Sequence, residues 1–277
     1  METSKTTTAF ATSTGIATSS DGTPIAYERI GDGPPLILVD GAMCFRSFGP
    51  SVPLARLLAS DRTVYCYDRR GRGESGDARE HSVEREIEDI DALIATAGGS
   101  ASLYGISSGG ALSLEAAARL GGKVEKLALY EIPYDASEEG IRAWHGYRAT
   151  LTDLLSTGQR GEAVALFMRF VGASDDGVDG MRRAPVWATF EQVAPTLAYD
   201  AAALGADRTV PAERAACVTA TTLVMDGGAS LEHLPFMRRT AEVLTRVIRN
   251  ARHQVLEGQG HDIDPQVLAP VLADFLR

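Results

Sequence analysis

Apolar residues fall into two patterns along the chain, short continuous runs and longer stretches with a three-to-four-residue period, and the two alternate. Leu36-Ile37-Leu38-Val39 is wholly apolar, as a strand buried on both faces should be. Similar runs predict strands over 63–67, 101–106, 124–131, 222–226 and 253–257. A further short strand over 24–29 follows the turn Ser20-Asp21-Gly22. Between these runs, helices are expected over 53–59, 82–97, 108–120, 234–245 and 266–276. In the second of them Val83, Ile87, Ile90, Leu93 and Ile94 share a face, and Gly98-Gly99 ends it. This alternation predicts an α/β fold whose sheet is mostly parallel, with helices on both faces.

The alternation lapses over 133–216, where apolar residues keep a helical period broken at Gly158, Gly172, Gly177 and Pro185. A stretch of that length is too long for a plain crossover. It reads as a helical insertion, dividing an α/β core into 16–132 and 217–277. The first fifteen residues, METSKTTTAFATSTG, are rich in Thr and Ser and read as a frayed tail.

Composition narrows the class. With 44% hydrophobic and 23% charged residues, the 277-residue chain has the balance of a folded globular protein rather than a disordered one. Its 37 acidic against 27 basic residues leave a net charge of −10, which argues against a nucleic-acid partner. Three widely spaced cysteines, Cys44, Cys66 and Cys217, suggest neither a disulfide framework nor a metal cluster and fit a reducing compartment. No apolar run is long enough to span a bilayer and no secretory leader is evident, so the expectation is a cytoplasmic protein acting on a small molecule, with no membrane partner.

The sharpest chemical signal is Gly105-Ile106-Ser107-Ser108-Gly109, set between a predicted strand and a predicted helix. Glycines on both sides allow a tight strand-to-helix turn that lifts the Ser107 hydroxyl above the sheet edge, and the Ser108 N–H can then face a developing oxyanion. A serine needs a base to become a good nucleophile. Of five histidines, His261 lies in the loop after the last predicted strand, where an imidazole can be held over Ser107; His81, His145, His233 and His253 are less well placed. There is no His-Glu-x-x-His run, compact Cys/His set or complete phosphate-binding glycine motif, so neither a metal nor a cofactor is expected.

Taken together, the Gly105–Gly109 elbow, the late Gly258-Gln259-Gly260-His261 loop, the inserted cap and the segment Asp68-Arg69-Arg70-Gly71-Arg72-Gly73-Glu74-Ser75 resemble the α/β-hydrolase fold, in its serine-nucleophile branch with a helical cap. In that family the arginine-glycine segment is structural, which implies no catalytic part for Arg70 or Arg72. The family often has His-Gly after its third strand, where this chain has Asp40-Gly41-Ala42. By that match the Ala42 amide is the second oxyanion donor, and Asp40 tethers the loop. The usual acid beyond strand seven is missing, Ser230 standing there. Some haloalkane dehalogenases instead take the acid from the end of strand six, which implies Glu131 here, with Asp226 as the alternative.

The expected activity is hydrolysis of a small to medium, largely apolar carboxylic ester or lactone, with Ser107 as nucleophile, His261 as general base and acid, and Glu131 as orienting acid. Carbon–carbon bond hydrolysis or a cofactor-free lyase reaction on the same scaffold, and noncatalytic small-molecule binding, are the alternatives. Met43, Phe45, Tyr134, Trp144 and Trp187 are candidates for the substrate pocket.

Overall fold

The computed structural model describes residues 10–78 and 80–277. In chain order its elements are β1 (Thr12–Thr18), β2 (Pro24–Ile30), β3 (Pro35–Val39), α1 (Ser51–Leu58), β4 (Thr63–Tyr67), α2 (Val83–Thr96), β5 (Ala101–Ile106), α3 (Ser108–Leu120) and β6 (Val124–Tyr130). Six helices follow: α4 (Glu138–Ser156), α5 (Arg160–Phe170), α6 (Asp175–Arg182), α7 (Trp187–Val193), α8 (Leu197–Ala203) and α9 (Ala212–Ala215). The chain then returns to the sheet as β7 (Thr221–Gly227), α10 (Pro235–Val247), β8 (Ala251–Leu256) and α11 (Pro265–Leu276).

One sheet runs β1-β2-β4-β3-β5-β6-β7-β8. From β4 to β8 every neighbouring pair is parallel, and β1 and β2 extend that sheet as an antiparallel hairpin. The α/β-hydrolase fold is therefore present, with its helical cap inserted after β6. Because successive side chains alternate faces, a strand such as β3 feeds two cores: Ile37 and Val39 pack beneath α2, α3 and the cap, and Leu36 and Leu38 pack against α1 and α11. No helix among the described residues is long and apolar enough to cross a membrane.

Two readings of the pattern need correction. Thr12 to Gly15 do not belong to a frayed tail; they open β1, whose full-length pairing with β2 supplies the backbone hydrogen bonds that its polar side chains do not advertise. Gly177 does not break a helix either. It sits in the first turn of α6, donating its N–H to the capping hydroxyl of Ser174 at 3.2 Å. Gly158 and Gly172 do end helices, each with positive φ.

Candidate active site

The parallel strands bring three strained residues to the carboxyl edge of the sheet. Four non-glycine residues among those described have positive φ, and three of them lie here: Met43 at 64°, Ser107 at 56° and Glu131 at 44°. Such conformations cost about 1–3 kcal/mol each and persist only where surrounding contacts enforce them. At Ser107 the enforcement is visible. Its N–H donates to Tyr130 O at 3.0 Å, and its carbonyl accepts from Gly110 at 3.0 Å and Ala111 at 3.2 Å.

Glycine is required on both sides of this turn. A Cβ on Gly105 would collide with Ser113 Oγ and come within 2.6 Å of Gly109 O, and one on Gly109 would collide with Val39 O. Gly41 lies against the serine itself, where a Cβ would stand 3.0 Å from Ser107 Cβ and 3.5 Å from its hydroxyl. The Gly41-Ala42 peptide therefore passes beside the elbow. Neither the Ala42 N–H nor the Ser108 N–H has a hydrogen-bond acceptor among the described residues, so both are available.

His261 sits on the loop after β8, its side chain 39% exposed. Tyr130 OH donates to Gly260 O at 2.5 Å and Ala229 N–H to Gln259 O at 2.9 Å, tying this loop to β6 and to the turn after β7. His261 Nδ1 is 2.9 Å from Glu131 Oε2, and the other Glu131 oxygen accepts from Gly227 N–H at 2.8 Å. That carboxylate is wholly buried. Its placement orients the ring and leaves Nε2 as the proton-accepting nitrogen. No hydrogen bond joins Ser107 Oγ to His261 among the described residues.

Asp226, the other candidate acid, faces elsewhere. It is buried between Arg238 Nε at 2.5 Å and His253 Nε2. His253 thus spends its imidazole on that pair. Asp40 accepts from Ser51 Oγ at 2.7 Å, which ties the loop after β3 to α1. Burial pushes its carboxyl up to about 6, against the pull of Ser51, Arg72 and Arg69. Burial, assisted by Asp40, also lifts the nearby Cys44 thiol to about 12, so it stays protonated. Asp264 caps α11 through Gln266 N–H at 2.8 Å.

The pocket candidates divide. Met43 and Phe45 are buried in the loop that carries Ala42, and Phe48 from that loop meets Phe190 of α7 edge-on at 5.1 Å, joining core to cap. Trp144 is engaged within the cap, donating to Gly205 O at 3.0 Å and stacking on Tyr147. Trp187 packs under Arg182, 5.1 Å from ring centre to guanidinium, and Tyr134 is buried with its carbonyl held by Thr240.

Arg72, set aside in the sequence as part of a structural segment, joins Arg69 and Asp200 in a group of buried ionic residues behind Gly41 and Ser108 that the sequence did not bring together. The arginine-rich segment was visible as a motif. Asp200, in the cap, carries no local signal at all.

The alpha/beta hydrolase family matches residues 36–272. An alpha/beta hydrolase from Sphaerobacter thermophilus is 47% identical, with 95% of this chain and 100% of that chain covered and a TM-score of 0.85. An esterase from Thermogutta terrifontis shares the fold at 22% identity and TM-score 0.67, over 96% of this chain and 98% of its own. So does a 2-hydroxy-6-oxo-6-phenylhexa-2,4-dienoate hydrolase from Rhodococcus, at 18% identity, TM-score 0.67 and coverage of 97% and 99%. No curated protein sequence matches the chain.

Proposed function

Because the chain belongs to the alpha/beta hydrolase family and is a hydrolase, we propose that it cleaves a small to medium, largely apolar carboxylic ester or lactone through Ser107, His261 and Glu131. The observation that carries this reading is the 2.9 Å contact between a wholly buried Glu131 and His261, on the same sheet edge as the strained Ser107 turn. Ser107 Oγ attacks the ester carbonyl and passes its proton to His261 Nε2. Glu131 stabilises the resulting imidazolium, and the Ala42 and Ser108 amides take the oxyanion. The alcohol departs with that proton. Water, deprotonated by His261, then releases the acid from the acyl-enzyme.

The aromatic contacts Phe45, Phe48 and Phe190, where the β3 loop meets the cap, support an apolar acyl or alcohol group. Free Cys44, Cys66 and Cys217 fit action in the reducing cytoplasm. The test is a panel of aryl esters, alkyl esters, lactones and vinylogous diketones, run with wild type and S107A. Turnover of an ester or lactone that S107A abolishes is expected, with the acyl group mapped to Ser107 by mass spectrometry. Turnover retained in S107A refutes the mechanism, and cleavage confined to the diketones replaces the substrate class with carbon–carbon bonds.

A further inference from the structure

Behind the two available amides, a buried ionic cluster runs from the core into the cap. Arg72, with no exposed side-chain surface, donates through Nη1 to Gly41 O at 2.6 Å and Cys44 O at 3.2 Å, and through Nε to Thr196 Oγ1 at 3.0 Å. Its Nη2 pairs with Asp200 Oδ2 on α8 at 2.7 Å. The other Asp200 oxygen accepts from Ser108 Oγ at 2.8 Å and from Arg69 Nη1 at 2.6 Å. Arg69 is completed by a forked pair with Glu86, at 2.7 and 2.9 Å.

Gly41 C=O and Ala42 N–H are the two ends of one peptide plane, and in a trans peptide they point in opposite directions. A guanidinium 2.6 Å from the carbonyl therefore sets the direction of the amide. It also draws electron density along the peptide, which makes the N–H a better donor. The Ser108 hydroxyl, bonded to Asp200, pins the residue that bears the second amide. One carboxylate from the cap thus restrains both halves of the oxyanion site. Neighbouring Arg70 provides a contrast within the same loop. It is equally buried, but its partners are Asp89, Asp21, Ser19 and Arg85 O, away from the β3 loop.

We propose that Arg72 and Asp200 are positioning residues that align the Ala42 and Ser108 amides, so that docking of the cap through Asp200 assembles the oxyanion hole. This rests on the assignment of those amides under the proposed function. It makes acylation depend on a contact between cap and core that touches no substrate atom.

The experiment follows inactivation by an alkyl fluorophosphonate, read by intact mass, in wild type, S107A, R72M, D200N and R70M. In that reaction Ser107 Oγ forms a P–O bond, fluoride leaves, and the hydroxyl proton goes to His261. Loss of a whole oxyanion donor costs about 10²–10³ in rate, so misaligned donors should slow the limiting inactivation rate roughly tenfold to a hundredfold in R72M and D200N. Probe concentration at half-maximal rate should stay within about threefold of wild type, since binding precedes charge development. R70M should melt lower yet react at the wild-type rate. If R72M does not fold, D200N, which keeps the side-chain volume, carries the test. Folded R72M and D200N reacting at the wild-type rate, or R70M slowed as much as they are, overturns the inference while leaving Ser107 in place. A wild type that does not react, or S107A modified as fast as wild type, overturns the serine assignment and this inference with it.

Discussion

Exchanging Glu131 for glutamine is the most demanding probe of the site, because it alters charge and proton position with almost no change in volume. In the wild type one carboxylate oxygen holds Gly227 N–H at 2.8 Å and the other faces His261 Nδ1 at 2.9 Å. In E131Q the amide oxygen is retained by Gly227, which turns the NH2 group toward His261. Nδ1 must then accept, so the ring proton moves to Nε2, the atom that should take the proton of Ser107. The lost charge matters as well. With charge centres about 4 Å apart and an effective dielectric near 20, carboxylate and imidazolium attract by about 4 kcal/mol, or roughly 10³ in rate. The tautomer penalty adds to this, in keeping with the roughly 10⁴ loss of turnover for the equivalent change in serine triads. The assay is pre-steady-state acylation by a p-nitrophenyl ester, with melting temperature checked in parallel. We expect the acylation rate of E131Q to fall by about 10³–10⁴ with KM within about threefold. D226N, altering a carboxylate already committed to Arg238 and His253, should lose stability while acylating within about threefold of wild type. An E131Q rate within tenfold of wild type, or a greater loss in D226N, would refute the reasoning.

Asp40 gives a pH-dependent stability with a definite sign. Because burial lifts its carboxyl to about 6, the native chain holds a proton between about pH 4 and 6 that the unfolded chain has released, and stability falls as pH rises through that window. D40N should therefore exceed the wild type in unfolding free energy at pH 8 by an amount on the order of 3 kcal/mol, read by chemical denaturation, a gain that vanishes near pH 4; a pH-independent difference would contradict this. G41A places a methyl group 3.0 Å from Ser107 Cβ, and turnover should drop at least roughly tenfold with little change in melting temperature. G105A drives a Cβ toward Gly109 O and Gly110 Cα and should cost about 1–3 kcal/mol in chemical denaturation. Stability unchanged in G105A would mean that the elbow is looser than its geometry indicates.

Whatever depends on local pattern was readable. The buried strands announce themselves because a strand covered on both faces has no reason to carry polar residues, and β4, β5 and α3 begin and end where the pattern places them. The serine turn was legible for the same reason, since tight backbone approach restricts its flanks to glycine. β1 was not. Its exposed face is Thr and Ser with Ile16 pointing outward, so only pairing with β2 identifies it as a strand.

The sequence by itself determined the order of strands and helices, the inserted helical segment, and the serine and histidine that the proposed chemistry uses. These follow from hydrophobic period, turn geometry and position at strand ends. Only the tertiary structure decided which carboxylate faces the histidine. Glu131 and Asp226 both lie at carboxyl ends of adjacent buried strands, so their local sequences are equivalent; loop packing turns His261 to one and Arg238 with His253 to the other. It also decided that Arg72, separated from Asp200 by 128 positions, shares a buried ion pair with it. Such pairing depends on the register of the sheet and the docking of the cap, and a desolvated charge acquires its partner only once both have formed.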